Sequence, residues 1–134
     1  MSITTTLAQV RVARPTDRLA EVERFYSQHL GLPVIYRFED HTGYDGVMLG
    51  MPGTDHHLEF TSHVDGSPCP APSRENLLVF YFASEAHLNE AVERLGQGGH
   101  SPVTLENPYW AANGGIAFED PDGWRVVFMP TKVF

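Results

Sequence analysis

Three side chains that could bind a metal ion or transfer a proton, His57, Glu59 and His63, alternate along one short segment near the middle of the chain. Apolar Leu58 and Phe60 predict a strand with one face in the core, so the three polar residues share the opposite face. Imidazole and carboxylate groups are common ligands of divalent metals. Positions two apart on a strand are separated by about 6–7 Å, so a pair of them holds an ion only with a further ligand. Alternatively, His57 is a solvated and inert residue at the strand edge.

An aromatic pair, Tyr109-Trp110, forms a second candidate site in a predicted loop. Aromatic rings can stack on a flat apolar ligand. The alternatives are a packing anchor for the loop and a contact between two copies of the chain. We expect ligand binding or an interface rather than packing alone.

The overall composition favours an acidic globular protein. The chain has 134 residues with a net charge of -8, and 42% of its residues are hydrophobic. These values predict one domain of residues 1–134 and exclude nucleic acid and anionic membranes as expected partners, because both require clustered Lys and Arg. A single cysteine, Cys69, and the absence of a signal-like or membrane-spanning apolar run predict a cytoplasmic location.

The elements that must position these residues occur twice. Residues 47–61 and 116–129 each contain an apolar run, a turn rich in Pro, Gly or Asp, and a second apolar run, which predicts a β-hairpin. The first copy, at 7–65, has a predicted strand at 7–13, a helix at 19–30, a strand at 32–38, a loop at 40–46 and the first hairpin. The second copy, at 76–130, has a strand at 77–82, a helix at 86–95, an edge strand at 102–105, a loop at 107–115 and the second hairpin. A Pro-rich linker at 66–75 joins them, and the pattern predicts an α+β fold of two βαβββ modules.

Three motifs in this order resemble one known superfamily. They are Phe25-Tyr26 on the first helix, Leu30-Gly31-Leu32 at its end, and Glu119-Asp120-Pro121-Asp122-Gly123-Trp124 in the last hairpin. The chain resembles the vicinal oxygen chelate superfamily, which includes glyoxalase I, the bleomycin-resistance proteins and the extradiol dioxygenases. The resemblance implies that the modules form a curled mixed β-sheet cup, usually completed in a homodimer. Its members include metal enzymes and metal-free proteins that sequester a drug, so the fold alone does not assign the function.

The resemblance also implies four positions for metal ligands. They fall on Arg11 or Gln9, on Glu59, on Leu77 or Asn76, and on Val127. Only Glu59 is a usual ligand, and an arginine has no lone pair to offer. Arg11 and Glu59 occupy neighbouring positions, where an ion pair avoids two unpaired charges. The pair is either structural, or it binds a ligand, with Arg11 donating to an anionic or carbonyl oxygen while Glu59 orients it.

The sequence therefore predicts a glyoxalase/bleomycin-resistance-like protein, homodimeric and cytoplasmic, that binds a small organic molecule in a largely apolar cup, without cofactor or the usual metal set. The predicted ligand-binding residues are Arg11, His57, Glu59, His63, Tyr109 and Trp110. The alternative is a lyase, isomerase or dioxygenase that depends on a divalent metal (Zn, Ni, Fe or Mn), with Glu59 as the catalytic residue and His57 or His63 as further ligands.

Overall fold

The strands of the two sequence copies form two separate sheets. The computed structural model describes residues 6–132, and the chain divides into two compact units between Cys69 and Pro70. The elements are β1 (Arg11–Pro15), α1 (Leu19–Glu23), a π-helix (Arg24–His29), β2 (Val34–His41), β3 (Tyr44–Gly50), β4 (His57–His63), β5 (Leu77–Tyr81), α2 (Glu85–Gln97), α3 (Tyr109–Ala112), β6 (Ile116–Glu119) and β7 (Arg125–Met129). The predicted α+β class is confirmed. Among residues 6–132, no helix is long and apolar enough to span a membrane.

The sheet of the first unit has the strand order β1-β4-β3-β2. β1 runs parallel to β4, with Arg11 opposite His57, and the other pairs are antiparallel. Phe60 on β4 stacks on Tyr26 of the helical segment, with ring centroids 4.9 Å apart, so the helix covers this side of the sheet. The residues of β4 that alternate with Phe60 therefore lie on the other side, which we call the helix-distal face.

The first helix changes its hydrogen-bonding pattern after one turn. α1 continues directly into the π-helix, where the amide of Leu30 donates to the carbonyl of Phe25 at 2.9 Å, an i→i−5 bond. Phe25 and Tyr26 are both buried as a result, at 1% and 2% exposure. Gly31 then ends the helix with φ of 103°, which a glycine adopts at little cost. The predicted helix and its stop at Gly31 are confirmed.

An ion pair ties β2 to the helix. Arg37 donates to both carboxylate oxygens of Glu23, and this hydrogen bond together with the charge of Glu23 raises the pKa of Arg37 above its ordinary value. Arg37 therefore points towards the helix. By alternation, its neighbours Tyr36 and Phe38 lie on the helix-distal face.

The second unit contains a three-stranded sheet in the order β5-β7-β6. Its core includes Phe118 and Phe128, which are both fully buried with ring centroids 5.8 Å apart. α2 begins after Ser84, whose hydroxyl oxygen accepts a hydrogen bond from the amide of His87, and it buries Leu88 among its apolar residues.

Several predicted boundaries were wrong. The region 40–46 is no long loop, because Thr42 and Gly43 form a tight turn with φ of 51° and 89° that joins β2 directly to β3. The predicted edge strand at 102–105 is reduced to one bridge between Val103 and Ala117, beside a proline that cannot donate to a ladder. The predicted loop at 107–115 contains the short helix α3.

The first strand also lies later in the chain than predicted. It spans Arg11–Pro15 rather than 7–13, because its partner β4 begins at His57, opposite Arg11. Val10 and Val12 are 41% and 53% exposed.

The start of the linker is anchored to the first unit. The amide of Ser67 donates to the Asp17 carboxylate, and the hydroxyl oxygen of Ser67 accepts a hydrogen bond of 2.7 Å from the amide of His63. Ser67 is buried at 8% exposure, so this part of the predicted linker is held in place by the unit that precedes it.

Candidate functional site

Arg11 organises a polar cluster on the helix-distal face of the first unit. Its Nε donates to Nε2 of His57 at 2.9 Å, its Nη1 lies 3.6 Å from Oε2 of Glu59, and its Nη2 lies 3.7 Å from Sδ of Met48. The Arg11 side chain is nevertheless 45% exposed, whereas Glu59 is 14% exposed. The guanidinium is thus held from the protein side while almost half of its side chain faces solvent.

The hydrogen bonds of His57 define its tautomer. Arginine can only donate, so Nε2 of His57 carries the lone pair that accepts the Arg11 Nε–H. The remaining nitrogen, Nδ1, then carries the hydrogen and faces the carbonyl oxygen of Asp55 at 3.2 Å. His57 is 3% exposed. Both ring nitrogens are therefore engaged, and neither presents a lone pair to a metal ion.

The ion pair between Arg11 and Glu59 expected from the sequence is present. It lies on neighbouring parallel strands, where Ala13 is opposite Glu59 and Arg11 is opposite His57. This register brings three of the predicted site residues into one cluster.

His63 lies apart from that cluster. It is four residues beyond Glu59 on the same strand, which corresponds to about 13 Å. Its Nδ1 accepts a hydrogen bond of 3.1 Å from the amide of Asp65, and its ring contacts Tyr44 edge to face at 4.6 Å between centroids. The structure thus places His63 beside an aromatic ring rather than beside Glu59.

The second unit carries an apolar cluster around Val127 on its sheet. Leu77 is opposite Arg125, and Val127 is fully buried in a cluster with Ala117 and Met129. Trp110 packs against this cluster and lines a surface pocket of about 180 Å³, while Tyr109 is 46% exposed. The other residues that line the pocket are Arg74, Glu75, Leu77, Leu105, Glu106 and Asn107. The aromatic pair is therefore divided between a packing position and the surface.

Arg125, the first residue of β7, is a buried cation in the second unit. Its Nε and Nη2 donate to Oε1 of Glu119 at 3.1 and 3.0 Å, and its Nη1 donates to the carbonyl of Thr104 at 3.1 Å. Oε1 of Glu106 lies 3.6 Å from Nη1 of Arg125, and the Arg125 side chain is 5% exposed. Unlike Arg11, this guanidinium is enclosed by its own partners.

The four metal-ligand positions of the superfamily do not fit a metal in this chain. The resemblance implies Arg11 or Gln9 at the first position, Glu59 at the second, Leu77 or Asn76 at the third and Val127 at the fourth. Of these only Glu59 is a usual ligand, and it lies in an ion pair with Arg11. Within residues 6–132, no three His, Cys, Asp or Glu side chains are grouped to hold an ion. The donor chemistry therefore disagrees with the usual metal set.

Phe38 and Met48 also lie on the helix-distal face, although the sequence did not predict them as site residues. The ring of Phe38 lies over Gly46, where an added Cβ would come within 2.2 Å of it. Ile35 covers Gly50 in the same way, at 2.9 Å. The alternation Gly46, Met48, Gly50 on one strand face was the available signal, because side chains from a neighbouring strand can lie flat over glycines.

Comparisons with known proteins place the chain in a family. Residues 10–61 match the family model of the YycE-like N-terminal domain, and residues 75–130 match that of the YycE-like C-terminal domain. An uncharacterised protein, YycE of Bacillus subtilis (strain 168), is 50% identical over 125 residues, which cover 93% of this chain and 89% of the relative. A crystal structure of a YycE protein of unknown function from Bacillus subtilis is 48% identical with a TM-score of 0.88, covering 95% of this chain and 92% of that one.

More distant solved structures share the fold. The fosfomycin-resistance protein FosX from Listeria monocytogenes, complexed with Mn(II) and sulfate, has a TM-score of 0.67 at 13% identity, covering 92% of this chain and 90% of its own. TnmS3, an antibiotic-binding protein from Streptomyces sp. CB03234, has a TM-score of 0.62 at 18% identity, covering 93% and 95%. The chain therefore belongs to the YycE-like family, with the fold of the glyoxalase and fosfomycin-resistance proteins of the vicinal oxygen chelate superfamily.

Proposed function

We propose that this protein binds a small organic molecule on the helix-distal face of its first unit, without a bound metal. Arg11 donates hydrogen bonds to an anionic or carbonyl oxygen of the ligand, and Glu59 and His57 orient the guanidinium. The observation that carries this proposal is a guanidinium held by His57, Glu59 and Met48 with its side chain still 45% exposed. Charge-assisted hydrogen bonds from a pre-oriented arginine are strong and directional.

The contrast with Arg125 supports a binding role for Arg11. Arg125 has the environment of a structural arginine, because it is 5% exposed and is surrounded by a carbonyl and two carboxylates. Arg11 has one carboxylate partner at 3.6 Å and remains far more exposed. Its arrangement leaves donor capacity for a ligand, because a guanidinium carries five N–H groups.

Relatives of the same fold support a small-molecule ligand. TnmS3 is an antibiotic-binding protein, and FosX is a fosfomycin-resistance protein crystallised with Mn(II). The second of these favours the alternative function, a metal-dependent lyase, isomerase or dioxygenase that uses Glu59 with His57 or His63. The engaged nitrogens of His57 and the distance of His63 argue for the metal-free function in this chain. We further propose a cytoplasmic homodimer, in which Tyr109 and Trp110 contribute to ligand binding or to the interface.

The test compares Arg11→Gln with Arg18→Gln, a matched control whose guanidinium is exposed beside Glu21. Benzoate, hexanoate and acetophenone serve as probes in thermal-shift and calorimetric titrations. We expect wild type and Arg18→Gln to bind the acids equally, and Arg11→Gln to bind them at least about 10-fold more weakly. Equal binding by Arg11→Gln would refute the role of Arg11.

Metal analysis tests the alternative. Protein purified without chelators should contain far less than one equivalent of Zn, Ni, Fe or Mn. Near-stoichiometric metal that is lost in Glu59→Ala would overturn the metal-free proposal. Light scattering on the same preparation measures the oligomeric state.

A further inference from the structure

We infer that the ligand has a flat aromatic body that lies on the ring of Phe38 while its oxygen end meets Arg11. This inference rests on the function proposed above and names the class of ligand, an aromatic carboxylic acid or aryl carbonyl compound. It follows from the shape of the helix-distal face next to the polar cluster.

The first observation is the flat apolar floor that two glycines create. At Gly46 an added Cβ would lie 2.2 and 2.4 Å from two atoms of the Phe38 ring, so the ring rests directly on the backbone of β3. At Gly50 the corresponding atom would lie 2.9 Å from Ile35. Between them stands Met48, whose thioether adapts to flat rings and makes favourable contacts with them. The floor therefore consists of Ile35, Met48 and Phe38.

The second observation is the continuity of this floor with Arg11. Sδ of Met48 lies 3.7 Å from Nη2 of Arg11, so the guanidinium reaches over the sheet to β3. Gly46, under the Phe38 ring, is two residues from Met48 on the same strand, which corresponds to about 7 Å. A molecule with a single ring or two fused rings and an oxygen at one end matches this separation between the Phe38 ring and the Arg11 guanidinium.

The third observation is the exposure of aromatic rings beside the floor. Tyr36 is 58% exposed, and its ring centroid lies 6.3 Å from that of Phe38. Tyr44 is 41% exposed and is held edge to face by His63. Large exposed aromatic side chains grouped on one sheet face mark a binding surface. His63 thereby acquires a role as a positioning residue for Tyr44 instead of a metal ligand.

The face combines these features into a specific preference. Acyclic acids can satisfy Arg11 but cannot cover the Phe38 ring, whereas flat aromatic acids do both at once. Aromatic contacts of this kind correspond to a roughly 2- to 12-fold gain in affinity. The preference therefore has two separable parts, one from the charge and one from the ring.

The experiment measures the affinities of 1-naphthoate and hexanoate, two monocarboxylates that differ in aromaticity. Wild type should prefer 1-naphthoate. Phe38→Leu, which keeps an apolar side chain without the ring, should weaken 1-naphthoate binding about 3- to 10-fold and leave hexanoate binding unchanged. Gly46→Ala should do the same, because the new methyl group pushes the ring off the backbone. Gly96→Ala is the matched control, since an added Cβ there meets nothing within 4 Å.

The outcomes separate this inference from the proposed function. Equal affinity of wild type for the two acids, or equal losses for both acids in Phe38→Leu, would overturn the aromatic preference while Arg11 dependence still stands. An unchanged hexanoate affinity in Arg11→Gln, or no binding of either acid to wild type, would overturn the proposed function and with it this inference. Thermal unfolding of each variant establishes that the fold is retained, and the two independent variants at Phe38 and Gly46 guard against a loss of folding in one.

Discussion

Replacement of Glu119 by leucine should destabilise the second unit by about 2–3 kcal/mol, because it removes the main partner of a buried cation. Glu119 Oε1 accepts two hydrogen bonds from Arg125, whose side chain is 5% exposed. Breaking a buried ion pair from one side costs about 3–5 kcal/mol. Glu119 itself is 41% exposed and Glu106 remains 3.6 Å from Nη1 of Arg125, so solvent and the second carboxylate reduce the cost.

Urea unfolding followed by circular dichroism measures this loss, and a double-mutant cycle assigns it. If the loss comes from the stranded charge, Glu119→Leu/Arg125→Met should be more stable than Glu119→Leu alone, because replacing both partners by apolar groups removes the uncompensated cation. Glu90→Leu, at an exposed position of α2, is a control with the same change of side chain. A loss below about 0.5 kcal/mol in Glu119→Leu, typical of ordinary surface substitutions, would refute the reasoning. The reasoning would also be refuted if the double variant were less stable than the summed effects of Glu119→Leu and Arg125→Met predict.

Three further predictions concern packing and helix ends. Ser84→Ala should cost about 1 kcal/mol in urea unfolding, because it removes the cap of α2; no loss would show that the cap is dispensable. Gly96→Ala should stabilise the protein by about 0.5–1 kcal/mol, since it lies within α2 with open space around it, and a loss would contradict the helix assignment. Val127→Glu should cost more than about 3 kcal/mol of stability, because it buries a carboxylate in an apolar cluster. Titration of this variant with Mn(II) or Zn(II) should detect no new stoichiometric site. A stable variant that binds metal would contradict an apolar environment around Val127.

The parts of the fold that the sequence predicts are those encoded by local chemistry. Gly31, with its positive φ, ends the first helix. The alternation of apolar residues defines β4, and the apolar run at 126–129 defines most of β7. The turn at Thr42-Gly43 was missed because threonine is an unusual residue at positive φ, and the surrounding polar residues resemble a loop. The strand predicted at 102–105 has a suitable composition, but only Val103 finds a partner in β6.

The candidate site, too, is predictable from the sequence in some parts and not in others. The register of β1 against β4 brings Arg11 to Glu59, and strand alternation together with the family pattern predicts this. Which nitrogen of His57 faces Arg11 depends on side-chain rotamers, which no spacing rule supplies. The Phe38 floor depends on a ring crossing to the next strand, and the only trace of it in the sequence is the pair of glycines around Met48.

The π-helix at Arg24–His29 makes this helix unusually tolerant of a change in chain length. An i→i+5 segment contains one residue more than the α-helix that could replace it. Deleting exposed Gln28 would let the segment rewind as α-helix, with Val22 and Leu30 still directed into the core. Deleting one residue of α2 before Leu95 would rotate the rest of that helix by about 100° and expose Leu95. Length variation among relatives should therefore concentrate in the first helix rather than the second.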